Sequence, residues 1–270
     1  MPDPTPISYD AYRMLSVERR GRVLTITLER PDQLNAVNAQ LHAELARIFV
    51  DVKNDPDADV IVLTGRGRAF SAGGDIDWMQ GAIDAPEQFE QTGREAKDIV
   101  YSQLDLDKPL ICRMNGHAIG LGASLACLCD IVIASDRARI GDPHVSVGLV
   151  AGDGGALIWP QLCGYAKARY YLFTGEAMTA AEAERIGLIT RVVAQDDLDA
   201  EVYGLAERLA AGPLKAMRWT KITTNLPLKA LFHAHFDAGI AYECMSNLTA
   251  DHREAVAAFR EQRDPVFSGR

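Results

Sequence analysis

Three short segments of this chain carry residue types and spacings that can do chemistry. The first is Gly65-Arg66-Gly67-Arg68-Ala69-Phe70-Ser71-Ala72-Gly73-Gly74-Asp75-Ile76. An apolar run ends there, small residues follow, and Asp75 stands where a helix can begin. Small residues let a ligand approach the backbone closely. N–H groups near a helix start lack intrahelical partners and can grip an anion or a polarised carbonyl. A plain strand-to-helix loop with Asp75 as its N-cap is the competing reading. The second segment, Asn115-Gly116-His117-Ala118-Ile119-Gly120-Leu121-Gly122-Ala123-Ser124, also lies between a strand pattern and a helix of small residues. Together the two loops point to two N–H donors converging on one oxygen, an oxyanion hole that stabilises charge developing on a carbonyl. Neither is a nucleotide loop. After Gly120-x-Gly122 the third glycine of a dinucleotide fingerprint is replaced by Leu125, and no Gly-Lys-Ser/Thr follows the first segment.

The third segment runs Asp142-Pro143-His144-Val145-Ser146-Val147-Gly148-Leu149-Val150-Ala151-Gly152-Asp153-Gly154-Gly155. Asp153, between glycines at the start of a helical pattern, reads either as a general base or as an N-cap. His144 reads either as its acid/base partner or as a hydrogen-bonded wall residue, since an unperturbed histidine titrates close to neutral pH. Ser124 reads as a small polar lining residue in preference to a nucleophile. Gly122-Ala123-Ser124-Leu125-Ala126 departs from a nucleophile elbow at Ala126, although the order Ser124, Asp153, then His233 or His235 is formally that of a hydrolase triad. His117 reads as structural, and Tyr242 and Glu243 read as surface or interface residues. Cys127 and Cys129 are one residue apart with no histidine at a usual zinc spacing, so no metal site is expected.

These segments need elements to hold them. Residues 16–28 read as a hairpin whose second strand, 23–28, alternates apolar with β-branched polar residues. Leu41, Leu45, Ile48, Phe49 and Val52 repeat at helical spacing, and Asp55-Pro56 ends that helix. Strands are expected at 59–63, 109–114 and 131–135, a polar and mobile helical segment at 86–104, and a small-residue helix at 121–129. Strands alternating with helices imply parallel strands joined by crossovers. Beyond residue 195 the strand signals stop, and helices are expected at 198–211, 213–224, 228–247 and 251–262.

The chain has 270 residues, 48% hydrophobic and 24% charged, with a formal charge of −9. That is enough for one large α/β unit with a smaller appendage. The acidic balance disfavours a protein that neutralises nucleic-acid phosphates. The most apolar stretch, 109–135, is interrupted by Arg113, Asn115, His117 and Asp130 and reads as buried core, so no membrane span is expected. Met1-Pro2-Asp3-Pro4 opens without a basic region and apolar run, so no secretory leader is expected. The odd number of cysteines, five, reads as reduced thiols in a cytoplasmic protein.

Taken in order, several segments resemble the crotonase (enoyl-CoA hydratase/isomerase) superfamily. They are Leu28-Glu29-Arg30-Pro31-Asp32-Gln33-Leu34-Asn35-Ala36-Val37, Ala69-Phe70-Ser71-Ala72-Gly73-Gly74-Asp75-Ile76 and the stretch from Asn115 to Gly122. Cys129-Asp130-Ile131-Val132-Ile133-Ala134, Ala183-Glu184-Arg185-Ile186-Gly187-Leu188-Ile189 and Asp251-His252-Arg253-Glu254-Ala255-Val256-Ala257-Ala258-Phe259 complete the set. The resemblance implies an α/β fold, a spiral of ββα units over 1–195 that binds acyl-CoA, and a helical oligomerisation region over 196–270. It implies a homotrimer or dimer of trimers, with coenzyme A entering as part of the substrate and no permanently bound cofactor. The backbone N–H groups of Ala72 and Leu121 would hold the thioester oxygen. Ala69, Ser71, Gly73, Gly74, Asp75, Ile76, Gly120, Gly122 and Ser124 would line the substrate, and Trp78 with Met79 would begin the acyl-pocket wall.

The sequence departs from the family where Leu121 replaces the commoner glycine, which a backbone donor tolerates, and at the positions that would handle water. The two glutamates that position water in enoyl-CoA hydratases are matched here by Ser124 and His144. Proton handling would pass to Asp153 and His144, leaving isomerisation, hydrolysis, C–C cleavage or binding without turnover as alternatives to hydration. The phosphates of CoA would need local basic groups, for which Arg30, Arg66, Arg68, Arg260, Arg263 and Arg270 are the candidates.

Overall fold

A computed structural model describes residues 7–270; the expectation about a leader rests on residues outside the described ones. The ten strands among the described residues form two sheets. The larger is built from β1 (Leu15–Arg20), β2 (Val23–Leu28), β3 (Val60–Gly65), β5 (Leu110–Met114), β7 (Ile131–Ser135) and β10 (Arg191–Val193), in that spatial order. The smaller is ordered β4 (Ala69–Ser71), β6 (His117–Ile119), β8 (Arg139–Gly141) and β9 (Met178–Thr179). The β1–β2 hairpin and the β8–β9 pair are antiparallel; the other pairings are parallel. The three middle turns, β3–β4, β5–β6 and β7–β8, each give one strand to each sheet before entering a helix, which is the ββα spiral expected.

The apolar runs that read as strands are buried on both faces. Ile61 and Leu63 point into the main core, and Val60 and Val62 point into a second cluster on the opposite face. Parallel strands covered on both sides need such continuous runs. The main core is covered by α1 (Ala39–Asn54) and α3 (Phe89–Asp105), the most extensively packed helix pair. Asn38 starts α1 by accepting the Leu41 N–H at 2.9 Å. The opposite face is closed by α7 (Leu198–Ala210) through Leu198, Val202 and Ala206, one residue per turn. Burying a side chain such as Leu198 or Val202 contributes about 1.5–3 kcal/mol. The segment after residue 195 therefore begins by finishing the core.

Two expected elements differ. The segment 86–104 is anchored and not merely polar: Ala96, Ile99, Val100 and Leu104 of α3 make a buried stripe. Helices 213–224 and 228–247 are one helix, α8 (Leu214–Asn247), with Pro227 inside it. Proline removes one i→i−4 bond, but tertiary contacts hold both sides in line. Lys221 donates to the Lys108 carbonyl and pairs with Asp130, Asn225 donates to the Leu104 carbonyl, and Phe232 and Phe236 are buried. The remaining helices are α2 (Ile76–Asp84), α4 (Leu121–Cys127), α5 (Gly155–Thr174), α6 (Ala180–Arg185) and α9 (Ala250–Glu261). Among the described residues no helix is long and apolar enough to cross a membrane. All five cysteines are free, and burial pushes the thiols of Cys112 and Cys127 well up, which keeps them unreactive.

Candidate active site

The first loop, after β4, is held by Asn35, whose side chain is fully buried. Its amide donates to the carbonyls of Arg66 and Ala69, both at 2.9 Å, and its own carbonyl accepts from Ser71 Oγ at 2.8 Å. These bonds hold Leu34 and Asn35 in left-handed conformations, φ 54° and 56°, which leucine seldom adopts. The strained turn aims the Leu34 carbonyl at the Ala72 N–H, 3.0 Å away. Ala72 is thus not available as an oxyanion donor, and that expectation is corrected. Val37 then bridges the loop by donating to Gly73 O at 2.7 Å and accepting from Asp75 N at 2.9 Å. A parallel bridge of this kind uses the groups on either side of Gly74. The Gly74 N–H is left without a partner among the described residues. Asp75 is a cap, accepting from Asp77 N at 3.0 Å, and its other oxygen meets Arg30 at 2.9 Å.

The second loop meets the first through glycines. Gly73 has φ +87°, and a Cβ there would lie 2.9 Å from the Ile119 carbonyl. A Cβ on Gly120, φ +53°, would lie 3.8 Å from Gly73 Cα. Gly122 lets α4 approach β4, since a Cβ would come within 2.7 Å of Ser71 Cβ. Leu121 is the first residue of α4, and the Gly120 carbonyl before it takes the N–H groups of Ala123 and Ser124. The Leu121 N–H belongs to the unpartnered first turn. Two free N–H groups, those of Gly74 and Leu121, consequently flank the Gly73–Gly120 contact.

The two loops separate an open cleft of about 520 Å³ from an inner chamber of about 70 Å³. Gly74, Met79 and His144 border both. Ala72, Gly73, Asp75, Ile76 and Gly120 line the cleft; Trp78 and Leu121 line the chamber, and the Trp78 ring lies 5.1 Å from that of His42. Ala69, Ser71, Gly122 and Ser124 are buried behind these walls and support the loops.

A chain of titratable groups runs along the chamber. His144 opens a short 3₁₀ turn (His144–Val147), and its Nδ1 makes a short bond to Oδ1 of the buried Asp142. Its Nε2 faces Asp153 Oδ2 at 3.6 Å. Asp153 Oδ1 accepts from Ser124 Oγ at 3.0 Å and from Gly155 N at 3.3 Å. Asp153 is not the N-cap of α5, which is Gly154; it stands one residue earlier, meets the Gly155 N–H with one oxygen and turns the other, which has no hydrogen-bond partner among the described residues, toward His144. From α8, Glu243 reaches the same chamber.

Burial works against a charged His144, but the carboxylates of Asp142 and Asp153 outweigh it and hold the imidazole well above its usual range. Burial raises the Asp153 carboxyl, and the positive His144 only partly offsets this. Burial and the nearby Asp153 push Glu243 up to about 8. These directions favour a charged imidazole and a neutral Glu243, and Asp153 Oδ2 faces them without a hydrogen-bond partner among the described residues. Asp142, His144 and Asp153 also place donor atoms within 4.8 Å of one another, a spacing that suits a small cation once His144 has lost its proton.

Glu243 was expected at the surface, and the structure moves it into the chamber. Its signal was a stripe along α8, Phe232-Phe236-Ile240-Glu243-Asn247, spaced by three and four residues. Tyr242 is 61% exposed, as expected. The hydrolase triad does not assemble. His233 stacks on Tyr101 at 4.8 Å and His235 is exposed, while Asp153 already has His144 as its histidine. His117 accepts the Arg139 N–H at 3.2 Å and is structural. Of the arginines expected to serve phosphates, Arg30, Arg66, Arg260 and Arg263 face acidic partners, and Arg68 and Arg270 are exposed.

Comparison with known proteins places these features in context. The family model described as enoyl-CoA hydratase/isomerase matches residues 18–270. A Mycobacterium bovis protein named "Probable enoyl-CoA hydratase echA8" is 36% identical over 267 residues, covering 96% of this chain and 99% of its own. The crystal structure of an enoyl-CoA hydratase/isomerase from Mycobacterium paratuberculosis superposes with a TM-score of 0.89 at 38% identity, over 92% of this chain and 99% of that one. A β-diketone hydrolase from the cyanobacterium Anabaena, bound to (S)-3-oxocyclohexyl acetic acid, superposes with a TM-score of 0.82 at 29% identity, over 88% and 95%.

Proposed function

The chain belongs to the enoyl-CoA hydratase/isomerase family, and on that premise we propose that it forms and quenches the enolate of an acyl-CoA thioester. One observation carries this reading: the Gly74 and Leu121 N–H groups, both without partners, flank the passage between cleft and chamber. A thioester carbonyl placed between them would receive two hydrogen bonds that strengthen as its oxygen gains charge. Asp153 Oδ2 would take a proton from the carbon beside the carbonyl. The electron pair would pass to the oxygen. His144, or the protonated Glu243, would return a proton to carbon. Asp142 would keep the His144 ring aimed at Asp153. In the hydration direction water would add at the β-carbon and the enolate would be protonated. Coenzyme A is substrate in this scheme and not a resident cofactor.

The test is a panel of acyl-CoA thioesters incubated in deuterium oxide and, separately, in heavy-oxygen water. Deuterium entering the carbon beside the carbonyl is the expected result. Heavy oxygen in the product assigns hydration or hydrolysis, and its absence assigns isomerisation. A panel with neither exchange nor turnover would overturn the proposal.

A second reading is favoured by His144 standing where a carboxylate would act, and by the acidic partners of four of the expected phosphate-binding arginines. In it the same N–H groups hold one carbonyl of a 1,3-diketone. Water adds to the other carbonyl, the C–C bond between them breaks, and the electron pair enters the hole as an enolate. Cleavage of a cyclic 1,3-diketone with heavy oxygen in the new carboxylate would select this reading.

The assembly is proposed as a homotrimer or dimer of trimers. Trp219, Ile222 and Leu226 form an exposed apolar stripe on α8, 65%, 46% and 57% exposed, of the kind that marks an interface. Sedimentation as a monomer would remove this proposal and with it the oligomerisation role of 196–270. The buried free thiols fit the reducing cytoplasm, which is the compartment proposed.

A further inference from the structure

Two buried side chains in the chamber wall present acceptor atoms with nothing to accept. His252, on α9, has no exposed surface. Its Nδ1 lies 2.6 Å from the Val147 carbonyl oxygen. A carbonyl oxygen only accepts, so Nδ1 carries the ring proton. Burial holds this imidazole below its usual pKa and therefore neutral, which leaves Nε2 a bare lone pair. That atom has no partner among the described residues. Asn247, at the end of α8, is 2% exposed. Its Nδ2 donates to the Ala82 carbonyl at 3.1 Å, which fixes the amide orientation. Its Oδ1 also has no partner. Both residues line the inner chamber, beside the apolar Met79 and Leu149.

We propose that the chamber contains a subsite for a hydroxyl group on the substrate, which donates its single hydrogen to His252 Nε2 or to Asn247 Oδ1. The placement on an acyl group rests on the thioester reading above; the two acceptors themselves do not. The preferred donor is a neutral hydroxyl and not an ammonium, because a neutral imidazole and an amide offer no charge to balance a buried cation. A pocket with an unpaired acceptor discriminates, since the analogue that lacks the hydroxyl leaves that acceptor unsatisfied. Substrates with a purely hydrocarbon acyl group are accordingly the poorer ligands.

The experiment is titration calorimetry on the full chain with matched ligand pairs that differ by one hydroxyl. Each pair is offered as an inert CoA thioether and as a small free ketone. The hydroxylated member should bind roughly tenfold tighter or better in at least one pair. That preference should fall to near unity in His252→Leu or in Asn247→Leu, whichever removes the acceptor of that hydrogen. Equal affinity within every pair overturns the subsite, with water satisfying both acceptors, and so does a preference that survives both substitutions. The wild-type comparison decides by itself if a leucine variant does not fold. Thioethers that all fail to bind while a ketone pair keeps its preference overturn the acyl-CoA reading and leave the subsite standing. No binding by any member overturns both.

Discussion

Replacing Leu121 with proline removes one proposed oxyanion donor and little else that the backbone uses. The Leu121 N–H sits at the first position of α4, where no intrahelical bond forms and proline is well tolerated. The preceding carbonyl keeps its bonds from Ala123 and Ser124. Leu121 is 7% exposed, so its side chain must be accounted for separately. Leu121→Ala supplies that control: it deletes the side chain, at a cost of about 2–5 kcal/mol in stability, but keeps the N–H. The loss of one oxyanion donor costs about 3 kcal/mol of transition-state stabilisation, roughly a hundred- to a thousandfold in kcat. Leu121→Pro should therefore exchange the hydrogens beside the thioester carbonyl with deuterium oxide about that much more slowly than Leu121→Ala, followed by NMR under saturating substrate. Circular dichroism should show both variants folded. Equal exchange rates in two folded variants would refute the assignment of the Leu121 N–H and, with it, the two-donor geometry.

Other perturbations probe the neighbouring groups. Asp153→Asn removes the proposed base while keeping an oxygen to meet the Gly155 N–H; kcat should fall by roughly a hundredfold or more in the same assay, and unchanged turnover would exclude Asp153 as base. Glu243 has a folded pKa of about 8 against an ordinary value of 4.5, so the native state binds more protons than the unfolded chain between those values. Its contribution to stability is present below pH 4.5, declines as pH rises, and is gone above about 8. The melting temperature of the wild type should therefore drop more steeply from pH 5 to 8 than that of Glu243→Gln; parallel melting curves would argue against a protonated Glu243. Gly122→Ala forces a Cβ to within 2.7 Å of Ser71 Cβ. It should cost about 1–3 kcal/mol in urea unfolding and slow deuterium exchange by shifting α4. Full stability in that variant would mean that the α4–β4 contact has room to spare.

Much of the framework was readable from residue order. The strands 23–28, 109–114 and 131–135, the helix at 41–52 and the glycine-rich loops all lie within a few residues of where their patterns place them, because hydrophobic period and turn chemistry are local properties. The departures have long-range causes. Pro227 reads as a helix break, and tertiary contacts on both sides of it, among them those of Lys221 and Asn225 with distant carbonyls and the burial of Phe232 and Phe236, keep α8 whole. The stretch 86–104 reads as mobile until α1 supplies the surface that buries Ile99 and Val100.

The same division runs through the active site. Residue types and spacing alone pointed to two glycine-rich loops able to offer backbone donors and to Asp153 and His144 as candidates to move protons; the missing glutamate pair came from the resemblance to the family. Which N–H is free was decided by the fold. Ala72 is consumed by the Leu34 carbonyl, a bond that exists only because Asn35 holds a left-handed turn some forty residues earlier in the chain. Glu243, Asn247 and His252 join the chamber from helices that follow the loops by more than a hundred residues. A hydrogen bond made or withheld depends on which groups meet in space, and burial sets the charge of a carboxyl only after the walls around it have closed.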